Sequence, residues 1–132
     1  VNKGASTTTF HWETDKFASM VSLAAAKYVQ QSATIPPVNG LAPTRGPMTI
    51  SCYTYPEHRV SGAAFLKEAV AIARYYERRY GTYPFEKLDF TAVPEFRPGA
   101  MENPGAFTFA QSVLLQDAAS AGPSGRKRTT TV

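Results

Sequence analysis

Thiol and imidazole chemistry have little to work with in this chain, which contains one cysteine, Cys52, and two histidines, His11 and His58. A lone cysteine excludes an intrachain disulfide and leaves the redox compartment open; within an alternating apolar stretch it reads as a small buried residue. The histidines stand far apart and neither is followed by glutamate. Each therefore reads as a surface or hydrogen-bonded strand-end residue rather than a metal ligand. Long hydrophobic runs are also lacking. The best, Met20 to Val29, contains Lys27 and falls well short of the roughly 18 apolar residues of a membrane span. There is no internal repeat, and only Ala118 to Gly125 is biased, small and polar enough to be flexible. A net charge of +4 rests on two small clusters, Arg74, Arg78 and Arg79, and Arg126, Lys127 and Arg128. These read as a helix end whose cations complement its dipole and as a solvated tail, which argues against nucleic-acid binding.

What is present describes a globular chain. The 132 residues are 43% hydrophobic, with seven tyrosines and eight phenylalanines, enough to bury roughly two-thirds of the unfolded surface. Val1 is not an initiator and the run Thr129-Thr130-Thr131 offers no terminating structure, so the chain is expected to be a piece of a longer protein.

Thr7 to Trp12 and Ser19 to Val29 are apolar runs of strand character, although Ala24-Ala25-Ala26 keeps helix open for the second. Ser32 to Pro47 carries four prolines and two glycines, a loop composition that places a domain boundary near Ser32 and divides the chain into 1–31 and 32–132. Met48, Ile50 and Cys52 then share one face of a strand that continues through Tyr53-Thr54-Tyr55. A helix is expected from a Ser61 cap to Tyr80, with Leu66, Ala69, Ala73, Tyr76 and Tyr80 on its buried face and Gly81 as its stop. Tyr75 and Tyr76 read as packing residues. After a turn at Tyr83-Pro84, Leu88, Phe90 and Ala92 form the apolar face of a strand, and Ala106 to Ala110 a second one in which Phe107 and Phe109 share a face. Val113, Leu114 and Leu115 make the next buried stretch.

Between those two strands lies an eleven-residue connection, Pro94 to Pro104, too long for a tight hairpin. Its centre is Gly99-Ala100-Met101-Glu102-Asn103. Gly99 lets backbone approach a ligand, Pro98 and Pro104 restrict the chain on either side, and Glu102 is an acceptor-only group suited to an ammonium ion. Glu95 adds a second carboxylate, the minimum for glycoside hydrolysis, but nothing else suggests a sugar site.

These five residues resemble the exopeptidase signature of zinc aminopeptidases of the aminopeptidase N type. Tyr76 to Asp89 is similar to the family's helix end and following strand, and Val93-Pro94-Glu95-Phe96 to the lead-in of its signature. Phe10 to Val29 resembles more loosely the last strands of the family's N-terminal β-domain, with Met20 and Lys27 where tyrosine and glycine are expected. The resemblance implies that Glu102 binds the α-amino group of a peptide and that the Gly99, Ala100 and Met101 backbone lines the peptide like a neighbouring strand. By residue type, Asn103 is expected to fix the loop through backbone hydrogen bonds, and Met101 to pack or to border the first substrate pocket. The resemblance also implies a zinc helix bearing His-Glu-x-x-His, which is absent here and would follow downstream.

The expectation is thus an α+β segment: the end of a β-rich N-terminal domain (1–31), then the first mixed sheet and helix of a thermolysin-like catalytic domain (32–132). Zinc is expected in the full-length parent and not on this chain alone. The expected partners are a peptide with a free N-terminus and the remainder of the catalytic domain. Two competing readings are a non-catalytic peptide-binding module using the same loop, and a basic nucleic-acid-binding segment built on the tail.

Overall fold

Period-two alternation of apolar side chains builds the central sheet. In the computed structural model, which describes residues 2–3, 7–17, 20–38 and 46–115, five strands pair in the order β3-β4-β5-β7-β6. They are β3 (Val29–Ile35), β4 (Met48–Thr54), β5 (Lys87–Val93), β6 (Ala100–Met101) and β7 (Ala106–Ala110). A separate antiparallel pair joins β1 (Asn2–Lys3) to β2 (Thr8–Thr9). Gly40, Pro43, the biased segment 118–125, the basic residues Arg126, Lys127 and Arg128 and the threonine run lie outside the described residues.

Met48, Ile50, Cys52 and Thr54 of β4, Leu88, Phe90 and Ala92 of β5 and Phe109 of β7 are buried on the side of the sheet covered by α1 (Arg59–Tyr80). The strands β4 and β5 run parallel across that helix, the βαβ crossover that parallel neighbours require. Gly62, Leu66, Ala69, Ala73 and Glu77 are the helix's buried residues, at spacings of three and four. At Gly62 a Cβ would come within 2.9 Å of both Thr54 Cγ2 and Gln31 Oε1, so the helix crosses the strands at a distance only glycine permits there. The fold is α+β, and among the described residues no helix is long and apolar enough to cross a membrane.

Several local expectations change. Ser32 to Ile35 is strand and not loop, because Ala33 and Ile35 continue the core-facing alternation and the whole of β3 pairs with β4. Residues 20–28 form neither strand nor helix; Met20, Val21 and Leu23 are exposed, and the segment packs at its end, where the Tyr28 ring lies 5.3 Å from that of Tyr55. Of Thr7 to Trp12 only Thr8–Thr9 is strand. The helix starts at Arg59 after a 3-10 turn at Pro56–His58, so Ser61 lies inside its first turn and is not the cap. Glu77 occupies the buried position expected for Tyr76, while Tyr75 and Tyr80 are exposed and Tyr76 stacks on Tyr80 at 5.6 Å at the helix rim. Arg78 and Arg79 do end the helix, where their charge complements its dipole.

Candidate functional site

The connection between β5 and β7 is more ordered than a loop. The two strands are parallel, so the chain leaving Val93 passes the C-terminal end of β7 and returns on its far side as β6, antiparallel to it. Ala100 pairs with Phe109 and Met101 with Thr108, and the Ala110 N–H donates to the Gly99 carbonyl at 2.7 Å. The signature residues Ala100 and Met101 thereby become the edge strand of the sheet, whose outer side has no strand partner among the described residues.

Turns frame this edge strand at both ends. Upstream, Glu95 adopts a φ of +51°, unusual for a residue with a side chain, and the Gly99 N–H donates to the Phe96 carbonyl at 3.0 Å. Gly99 has a φ of +81° and open space where a Cβ would stand. It is glycine for its backbone angle and not for packing. Downstream, Asn103-Pro104-Gly105-Ala106 is a β-turn closed by the Ala106 N–H on the Asn103 carbonyl at 2.9 Å. Proline in its second position and glycine at φ +72° in its third is the type II arrangement. Gly105 is held twice more: its carbonyl accepts from the Asp89 N–H at 3.0 Å, and its N–H donates to the Tyr83 hydroxyl oxygen at 3.0 Å. Burial pushes the Tyr83 phenol above its usual pKa, opposed by that N–H.

Between the edge strand and this turn stands Glu102. Its side chain is exposed and makes no hydrogen bond or ion pair among the described residues. Asn103 is buried, with its backbone in the turn, and Met101 is partly buried. The arrangement offers a fixed backbone, an open strand edge and an uncommitted carboxylate within a few residues of one another. Such a set can bind an extended peptide and pair with a cation.

The remaining polar residues do not converge here. His11 pairs with Glu13 at 3.9 Å, both exposed. His58, in the turn before α1 and not at a strand end, lies 2.7 Å from the Gln111 side chain, its Nε2 against the amide nitrogen at the start of α2 (Gln111–Leu114). Among the described residues no three His, Cys, Asp or Glu side chains come together, so these residues do not fit a zinc site. Cys52 is buried in the sheet, and burial pushes its thiol up to about 12, leaving an inert core residue.

An apolar groove of about 460 Å³ lies between α1 and the sheet, lined among others by Phe65, Tyr76, Leu88, Phe107 and Leu114. Glu77 sits on its wall, 2% exposed, with Oε1 accepting the Tyr83 N–H at 3.1 Å. Sequence reasoning missed both Glu77 and Tyr83. The Glu77 contact crosses the helix end to a residue six positions on and the Tyr83 contact spans 22 positions, so neither shows in local periodicity; only the Asn-Pro-Gly run that makes the turn is readable in the sequence.

A family model described as "Peptidase family M1 domain" matches residues 65–132, about half of the chain. Endoplasmic reticulum aminopeptidase 2 of Homo sapiens is 33% identical over 90 residues, covering 67% of this chain and 9% of that protein. Aminopeptidase 2 of Candida albicans is 37% identical over 84 residues, 63% of this chain and 9% of that protein. Aminopeptidase N of Rattus norvegicus is 42% identical over 62 residues, 46% of this chain and 6% of that protein. The chain spans less than a tenth of the length of these curated relatives.

Proposed function

The chain belongs to the peptidase M1 family, and from that premise we propose that it is the segment of a zinc-dependent aminopeptidase that recognises the free N-terminus of a peptide. The observation that carries this reading is the uncommitted carboxylate of Glu102 beside an open edge strand. Glu102 pairs with the α-ammonium group, and the outer side of Ala100–Met101 receives the peptide backbone as an added strand. An enzyme that removes one residue must measure from the chain end, and a carboxylate on a fixed backbone does so. A blocked amine leaves that carboxylate unpaired on desolvation, which rejects internal peptide bonds.

Residues 1–31 belong to the end of an N-terminal β-domain, and 32–132 open a catalytic domain of thermolysin-like fold whose zinc helix follows in sequence. The hydrolytic chemistry belongs to residues outside this chain, which alone is inactive. A His-Glu-x-x-His downstream in the parent separates this reading from a non-catalytic peptide-binding module.

Glu102→Ala in the parent tests the assignment. Losing a charge-assisted pair to the bound substrate costs about 2 to 4 kcal/mol of transition-state stabilisation, or roughly 30- to 1000-fold in kcat/KM. Zinc content stays unchanged and Glu102→Asp is intermediate. Wild-type hydrolysis of free-amine peptides by the Ala variant, or loss of its zinc, contradicts the role.

A further inference from the structure

The edge strand that presents Glu102 is short. Two residue pairs join Ala100–Met101 to β7, and a strand of that length has little stability of its own. The backbone that carries Glu102 is held on its downstream side by the turn that follows it. Three hydrogen bonds hold that turn: Ala106 N–H to the Asn103 carbonyl, Asp89 N–H to the Gly105 carbonyl, and Gly105 N–H to the Tyr83 hydroxyl. The first two are backbone to backbone. The third is made by a side chain, which itself is fixed from two directions. The Tyr83 ring lies against Phe85 with centroids 5.4 Å apart, and its backbone N–H is bonded to the buried carboxylate of Glu77 on α1. A continuous path thus runs from the helix through Glu77 and Tyr83 to Gly105, three residues from Glu102.

We propose that Tyr83 is a positioning residue for substrate recognition, holding the signature turn through the Gly105 N–H so that the Glu102 carboxylate stands where an α-ammonium can meet it. This rests on the reading of Glu102 given above. Tyr83 touches no substrate in this role; it acts through Gly105. The phenol is protonated at neutral pH, as an ordinary tyrosine is, burial moves its pKa further up, and its oxygen is the acceptor in the contact that matters. Without that oxygen the Gly105 N–H is left unsatisfied in a partly buried site, and the turn gains alternatives that carry Glu102 away from its position.

Tyr83→Phe in the full-length parent keeps the ring and removes only the acceptor. Its kcat/KM on free-amine peptides is expected to fall about five- to tenfold, the scale of one neutral hydrogen bond. In a Glu102→Ala background the same change is expected to cost less than about twofold, since no carboxylate remains to be misplaced. Hydrogen exchange at the Gly105 amide quickens in both backgrounds. Equal losses in the two backgrounds, no loss in the first, or unchanged exchange at Gly105 would overturn the proposal and leave the role of Glu102 standing. If Glu102→Ala itself keeps wild-type activity, the reading of the loop fails, and the positioning role fails with it.

Discussion

Helix α1 and the signature hairpin each place a glutamate near a change of chain direction, and the two side chains have opposite surroundings. Glu77 is 2% exposed, and its carboxylate bonds the backbone N–H of Tyr83 as the chain turns out of the helix. Glu102 is exposed and unpartnered among the described residues, while the backbone around it is bonded at Gly99, Gly105 and Ala106. In the first region the side chain serves the backbone. In the second the backbone is satisfied by turns and strand pairing, which leaves the side chain free for a ligand. The same residue type thus belongs to the fold in one place and to recognition in the other, and the distinction is visible only in who holds the hydrogen bonds.

Substitution separates the two. Glu102→Ala carries the largest effect, the kinetic loss already given, and as an exposed substitution it should move the melting temperature of the parent by less than about 1 °C. Glu77→Ala inverts the pattern. Removing a buried acceptor leaves the Tyr83 N–H unsatisfied and costs on the order of 1 to 3 kcal/mol, which scanning calorimetry should read as a drop of several degrees in the domain that holds it. A Glu102 variant that melts early, or a Glu77 variant that does not, breaks the comparison. Gly99→Ala is the smallest of the three. The site has room for a methyl group, so the cost is the φ of +81° alone, about 1 kcal/mol or roughly fivefold in kcat/KM with unaltered zinc content. A loss as large as that of Glu102→Ala would mean that the added methyl group meets the substrate.

Much of this was legible in the sequence where periodicity speaks. The strands at Met48, Leu88 and Ala106, the long helix and the buried Cys52 follow from local alternation and spacing. The misses share a cause. The prolines that follow closely give Ser32 to Ile35 a loop composition, yet its pairing with β4 decides its conformation. Nothing local in the sequence marks Glu77 among the residues of the helix, and its buried carboxyl meets the turn that follows through the Tyr83 N–H. The signature residues could be singled out in advance by resemblance and by the chemistry of a carboxylate among glycine and prolines. The resemblance implies a strand-like backbone at Gly99 to Met101, but that Ala100 and Met101 pair with β7 as the sheet's edge is not legible, since a two-residue strand has no period and exists only through its partner.

The central claim is that Glu102 reads the α-ammonium group. Its most direct test is the affinity of the parent enzyme for a competitive peptide inhibitor with a free N-terminal amine, set against the des-amino analogue of the same peptide, in wild type and in Glu102→Ala. The account predicts that wild type prefers the amine by roughly 10- to 100-fold, the scale of a charge-assisted hydrogen bond, and that the Ala variant loses most of that preference with little change in its affinity for the des-amino peptide. An undiminished preference for the amine in Glu102→Ala would contradict it.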